Sequence, residues 1–188
     1  VNKNTSEIST KLRGFDFKFK TTYGLFSYQK IDEGSRLLVE NLKVGQGKVN
    51  YLDLGCGYGV IGIVMAKLNP NSKTYLVDRD FVAIEHAKTN CQINKIKNGF
   101  PLLSDGFSHL PKIKFDLVAA NLPTHLAKSA LEKIIFDAAE QLNRKGQIYL
   151  VCVSKLQPYF QKQLKKYFGN FKKINSNKNH TLFLAQKL

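Results

Sequence analysis

The stretch Tyr51-Leu-Asp53-Leu-Gly55-Cys-Gly57-Tyr-Gly59-Val-Ile-Gly62 limits the fold more than any other part of the chain. A short apolar run closes on an acid, a glycine-built turn follows, and an apolar run of helical length opens at once. Strand, tight loop and helix in that order form the first unit of a nucleotide-binding α/β sheet. Gly55 and Gly57 admit backbone angles closed to other residues and leave room for a ligand against the main chain. Gly59 continues the turn, and Gly62 lets the new helix lie close to the strand.

Two ligand classes use such a loop. Gly57-x-Gly59-x-x-Gly62 matches the dinucleotide fingerprint in form. In that fingerprint, however, the first glycine follows the strand directly and a pyrophosphate caps the helix. Here Asp53 and Gly55 come first and the loop holds no basic residue. A carboxylate at the strand end repels a pyrophosphate and suits a cationic ligand. S-adenosylmethionine (SAM) carries a sulfonium and an ammonium and no phosphate, which ranks it ahead of NAD. The plainer reading of Asp53 is that it bonds backbone N–H groups of the turn.

The 188 residues, 43% of them hydrophobic, suffice for one domain with a full core. No apolar run nears the roughly 20 residues of a membrane helix, and no signal peptide opens the chain, so a cytoplasmic location is expected. Cys56, Cys91 and Cys152 lie far apart without metal-ligand spacing and read as buried thiols of a reducing compartment. No metal is expected. The formal charge of +15 favours an anionic partner, nucleic acid first. Solvated lysines that serve solubility are the bland alternative.

Along the chain, Val1 to Lys11 reads as a frayed polar end. Gly14 to Thr22 alternates Phe15, Phe17 and Phe19 with polar residues, which predicts a strand with its aromatics in the core. Residues 1–23 are expected as an N-terminal extension and 24–188 as the main domain. Asp32 is a candidate N-cap for a helix that buries Leu37, Leu38 and Leu42. Strands follow at Val49–Leu54, Lys73–Val77, Phe100–Leu103, Phe115–Ala120 and Gln147–Val153, and helices at Val60–Leu68, Phe81–Lys95, Ala127–Leu142 and Leu156–Phe168. His86 falls off the apolar stripe of its helix and is expected to be exposed. Phe171–Ile174 and Thr181–Ala185 close the chain as an antiparallel hairpin. The predicted class is α/β: a doubly wound, Rossmann-like, seven-stranded sheet.

Ligands of open α/β sheets sit beyond the C-terminal strand ends. Asp53, Asp78, Asp105 and Asn121 are all expected there. Asp78, about 20 residues beyond the glycine loop, suits the two ribose hydroxyls; the alternative is an N-cap role, which Asp80 could fill instead. Asp105-Gly106 alone reads as a turn.

Asp53-Leu-Gly55-Cys-Gly57-Tyr-Gly59 resembles the SAM-binding loop of class I methyltransferases. From about Gly24 onward the chain resembles the small-domain branch of that class, which includes the guanine-N2 methyltransferases of small-subunit ribosomal RNA (the RsmC-like group). The resemblance implies cofactor contacts at Asp53, Gly55, Cys56, Gly57, Gly59, Asp78 and Arg79. It implies adenine contacts at Ser104, Asp105 and Gly106, with Phe107 packed on the ring. Phe26, Ser27, Asp32, Gly34 and Ser35 then lie over the methionine end.

Asn121-Leu122-Pro123-Thr124 resembles the Asn-Pro-Pro-aromatic signature of enzymes that methylate exocyclic amines. Such an amine is a poor nucleophile, because its lone pair is delocalised into the ring. The Asn121 side-chain oxygen and the Leu122 carbonyl can each accept one N–H and aim the nitrogen at the methyl group. Asn121, Leu122 and Pro123 are thus the expected catalytic turn, and Asn121 also borders the cofactor. The resemblance makes Thr124, His125 and Lys128 the expected substrate contacts; as a lone histidine near a helix start, His125 could equally cap that end. His109 and His180 suggest no partner.

Leu122 replaces the first proline of the signature, and Thr124 the aromatic. The resemblance implies methylation of guanine N2 in ribosomal RNA, that of the small subunit first, or in other structured RNA. Protein glutamine-N5 or adenine-N6 methylation, and a catalytically weak SAM-fold domain that binds RNA or a partner, remain open alternatives.

Overall fold

The computed structural model describes residues 5–122 and 126–188. Strands β1 (Thr5–Leu12) and β2 (Phe15–Thr22) form an antiparallel hairpin, and helix α1 (Glu33–Asn41) follows. The α/β repeat then runs β3 (Asn50–Leu54), α2 (Val60–Leu68), β4 (Lys73–Asp78), α3 (Phe81–Ile93) and β5 (Gly99–Leu103). It continues through β6 (Phe115–Asn121), α4 (Lys128–Gln141), β7 (Leu142–Val153) and α5 (Gln157–Phe168) to the hairpin β8 (Lys172–Ser176) and β9 (His180–Gln186).

The main sheet has seven strands in the order β5-β4-β3-β6-β7-β9-β8. The first five are parallel; β9 runs antiparallel to both of its neighbours. Order reverses between β3 and β6, where a doubly wound sheet opens a crevice above its carboxyl edge. Register brings the strand ends level there: Leu54 lies beside Val77 and Ala120, Asp78 beside Leu103, and Asn121 beside Val151.

Each face of the sheet carries its own core. One joins α1, α2, α3 and the β1–β2 hairpin through Phe17, Phe19, Leu38, Ile63 and Ile84. The other joins α4 and α5 through Leu131, Ile135, Phe160, Leu164 and Phe168. The glycine at 62 allows α2 to close on the sheet, because a Cβ there would meet Leu76 Cγ at 2.4 Å.

The N-terminal segment differs from the sequence reading. Thr5–Leu12 is a strand rather than a frayed end, paired residue for residue with β2. Ile8 and Leu12, an even number of residues apart, fall on one strand face and are buried. Two asparagines of α3 complete the hairpin's edge. Asn90 accepts from the Lys20 N–H at 2.7 Å and donates to the Lys20 carbonyl at 2.9 Å. Asn94 does the same with Lys18, at 3.0 and 2.7 Å. Side-chain amides thus take the place of a neighbouring strand and close an edge that would otherwise expose its backbone.

Smaller differences concern Phe15, which is exposed, and Val39, which joins Leu38 and Leu42 in the core where Leu37 is only half-buried. His86 is half-buried, with its Nδ1 3.2 Å from the Lys20 carbonyl oxygen. Strand β7 begins earlier than read, because Leu142 pairs with Phe115 before the register shifts.

Candidate functional site

A cavity of about 610 Å³ opens over the carboxyl edge of the sheet. One end is built from the glycine loop, Asp78, Arg79 and the turn after β5. Gly55 and Gly57 adopt φ of +71° and +53°, and a Cβ on either would meet nothing within 4 Å. Their main chain is therefore bare toward the cavity they line. Asp78 steadies this loop: its Oδ2 accepts from the Gly57 N–H at 2.9 Å and its Oδ1 from the Asp80 N–H at 3.0 Å. Asp80, not Asp78, caps α3 by accepting from the Val82 N–H. Ser104 donates to the Gly106 carbonyl at 2.9 Å and accepts from the His109 N–H at 3.1 Å. That closes the turn which presents Asp105 and Gly106 to the cavity.

The other end is organised around Asn121. Asp32 caps α1, its Oδ2 accepting from the Ser35 N–H at 2.9 Å. The same oxygen accepts from Asn121 Nδ2 at 2.6 Å, and Ser35 Oγ accepts from that nitrogen at 3.0 Å. A carboxylate can only accept, so the amide orientation is fixed with Nδ2 toward Asp32. Among the described residues Oδ1 has no hydrogen-bond partner. Gly34 gives this cluster clearance: a Cβ there would lie 2.9 Å from Val151 Cγ1 and 3.1 Å from Asn121 Oδ1.

Most of the expected residues meet in this one cavity: Phe26, Ser27, Asp32, Ser35, Gly55, Cys56, Gly57, Asp78, Arg79, Ser104, Asp105, Gly106, Asn121 and Leu122 all line it. Asp53 does not. It is fully buried, and its Oδ2 accepts from the Gly62 N–H at 2.7 Å. The carboxylate points beneath the start of α2, so it holds helix to strand and is not an exposed edge of the site. Burial, with a lesser contribution from the Asp78 charge, pushes its pKa up to about 7 against the pull of the Gly62 bond.

Gly59 and Gly34 also lie behind the lining and shape it from there. Phe107 packs against the core of α4 and α5. Lys128 stands outside the lining, its Nζ 5.9 Å from the Tyr159 ring centroid. Pro123, Thr124 and His125 lie outside the described residues.

Three contributors were missed. The Tyr58 hydroxyl donates to the Ser27 carbonyl at 3.3 Å and ties the Phe26–Lys30 turn to the glycine loop. Its pKa is raised chiefly by burial, then by the Asp32 charge. Leu126, Ala130 and Ile134 form an apolar wall beside Leu54 and Leu122; their spacing of four along the chain was the available signal. His180, with Val153, closes the cavity beyond Asn121. Among the described residues no cluster of His, Cys, Asp and Glu could hold a metal ion, and no helix is long and apolar enough to cross a membrane.

The methyltransferase small-domain model matches residues 16–183. The chain belongs to that family. It is a SAM-dependent methyltransferase by class, with the seven-stranded class I fold. The uncharacterized protein YbxB of Bacillus subtilis is 29% identical over 190 residues, covering 100% of this chain and 94% of YbxB. Ribosomal RNA small subunit methyltransferase C of Hamiltonella defensa is 34% identical over 175 residues, covering 90% of this chain and 50% of that protein. The structure of the Thermus thermophilus 16S rRNA N2 G1207 methyltransferase (RsmC), in complex with AdoMet and guanosine, superposes with a TM-score of 0.89 at 25% identity. It covers 98% of this chain and 51% of that one. The chain thus spans about half the length of the ribosomal RNA methyltransferases it resembles and nearly all of YbxB.

The site fits the family's cofactor. Asp32, Asp78 and Asp105 face a cavity whose lysine and arginine lining, among the described residues, is Arg79 and Lys133, and Lys133 is paired with Asp137 at 2.6 Å. Bare glycine backbone, carboxylates and an apolar wall suit a cationic nucleoside better than a pyrophosphate.

Proposed function

We propose that this protein transfers a methyl group from SAM to the exocyclic amine (N2) of guanine in ribosomal RNA. The observation that carries the reading is the fixed Asn121 amide. With Nδ2 given to Asp32 and Ser35, Oδ1 is the end free to accept an N–H from the acceptor base. The Asp32 charge polarises the amide and makes Oδ1 a better acceptor.

When bound, SAM would supply an electrophilic methyl on a sulfonium, and the C–S bond that breaks as the N–C bond forms would leave the neutral thioether S-adenosylhomocysteine. Asp78 would hold the ribose hydroxyls, and Asp105 would accept from the adenine amine. The Gly55–Gly57 backbone, with Phe26 and Ser27 in the same lining, would hold the methionine moiety. On the acceptor side, Asn121 Oδ1 and the Leu122 carbonyl each take one N–H, which turns the nitrogen lone pair toward the methyl. As charge develops on nitrogen, the same two acceptors stabilise it, and the proton then leaves to solvent. A paired guanine hides this amine, so the base enters unpaired or flipped. The charge of +15 supplies the attraction to phosphate.

The relatives named above for ribosomal RNA methylation support this choice of substrate. The test incubates the protein with labelled SAM and, separately, ribosomal RNA, DNA and protein fractions, followed by nucleoside mass spectrometry. N2-methylguanosine is the expected product. Label confined to adenosine or to protein glutamine contradicts the reading.

A further inference from the structure

Among the described residues that line the acceptor end of the cavity, His180 is a polar side chain that the mechanism does not use. His180 opens β9 opposite Val153 on β7, and Asn121 on β6 lies opposite Val151. Two strand spacings, about 10 Å, therefore separate the strands that carry His180 and Asn121. His180 lies on the side of Asn121 away from Asp78 and Asp105, where the cofactor end is built.

The backbone of His180 is held firmly. Asn177 Oδ1 accepts from the His180 N–H at 2.7 Å and from the Asn179 N–H at 2.9 Å, and the Asn177 N–H donates to the His180 carbonyl at 2.9 Å. The Asn179 carbonyl accepts from the Ser154 N–H at 2.8 Å, which fixes this turn to the end of β7. The imidazole, in contrast, has no hydrogen bond among the described residues. Its Nδ1 is buried without a partner, while the residue as a whole lines the cavity. A proton on Nδ1 would be a buried donor with nothing to receive it, the costlier of the two ways to leave that atom unpaired. The proton therefore belongs on Nε2, the ring nitrogen that is not sealed off.

We propose that His180 positions the acceptor base. Its Nε2–H donates to an acceptor atom on the edge of the target guanine, across the cavity from Asn121. The assignment rests on the methyl-transfer reading above. Asn121 takes protons from the base and His180 gives one. Together they recognise an edge that carries both an amine and a lone pair, which guanine does and a protein glutamine presents differently.

The test measures guanosine binding and RNA methylation in the full chain for wild type, His180→Phe and His180→Gln, with SAM affinity from calorimetry and folding from thermal denaturation. The Phe variant fills the same space without a donor, whereas Gln restores an N–H. Loss of one hydrogen bond predicts about tenfold weaker guanosine binding and a KM for RNA raised alike in His180→Phe. SAM affinity should be unchanged, and most of the loss recovered in His180→Gln. Imidazole 15N spectra should show Nε2, not Nδ1, shifting on guanosine addition. Wild-type guanosine binding retained in His180→Phe overturns the assignment and leaves the methyl-transfer reading intact. A wild-type protein that binds SAM but neither guanosine nor RNA overturns both, and the wild-type control tells the two failures apart.

Discussion

Asn121 and Asp32, 89 residues apart, are joined by a 2.6 Å hydrogen bond from Nδ2 to a carboxylate oxygen that also caps α1. The start of one helix thereby sets the direction of the side chain expected to hold the target amine. Removing the carboxylate should let the amide rotate. Asp32→Ala is predicted to lower the methyl-transfer rate about 100-fold and to cost about 1 kcal/mol of stability through the lost cap. Asp32→Asn keeps an acceptor oxygen and should retain most of the rate. Single-turnover kinetics of the two variants would expose the error if Ala proved as fast as wild type.

Gly62 stands where α2 meets the sheet, 2.4 Å from Leu76 Cγ for any added Cβ. Gly62→Ala should force Leu76 or the helix aside and destabilise the fold by about 1–3 kcal/mol. A chain of this size should then melt several degrees lower. An unchanged melting temperature would mean that the helix does not rest on the strand as described.

The buried Asp53 makes a pH prediction. Its pKa is raised from 3.8 to about 7 in the folded chain, mainly by burial. Between those values the folded state holds a proton that the unfolded state has released. Stability from this group is thus full below pH 3.8, declines as pH rises, and is lost above about 7. Asp53→Asn cannot titrate and should remove that decline. Melting temperatures of both proteins from pH 4 to 8 check this; parallel curves would contradict it.

Asp78 bonds the Gly57 N–H and faces the cavity, so it serves the loop and the expected ribose at once. Asp78→Asn should weaken SAM binding roughly 10- to 100-fold, as loss of charged hydrogen bonds does, while the fold persists. Isothermal calorimetry reads this directly, and full affinity in the variant would remove the ribose assignment.

Legibility in the sequence followed the range of the interactions. The β3–loop–α2 unit was readable because its determinants lie within a dozen residues and glycine marks each turn. Asp80 as the cap of α3 was readable for the same reason. The β1 strand was not: it pairs with β2, whose other edge is completed by Asn90 and Asn94, some 70 residues away. Asp53 was placed at the right strand but on the wrong side of the problem, because the acid's direction depends on how closely α2 docks. His180 enters the site only through the β7–β9 pairing, which leaves no mark on its neighbours. Leu126, Ala130 and Ile134 left a signal in their spacing of four, but nothing nearby in the chain marks the face that meets Leu54 and Leu122.

The most direct test of the account compares Asn121→Ala with wild type for two quantities on the same preparation: SAM affinity by calorimetry and the rate of methyl transfer to ribosomal RNA. The account predicts a rate reduced at least about 100-fold with SAM affinity nearly unchanged. An undiminished rate of transfer in a variant that still binds SAM would contradict it.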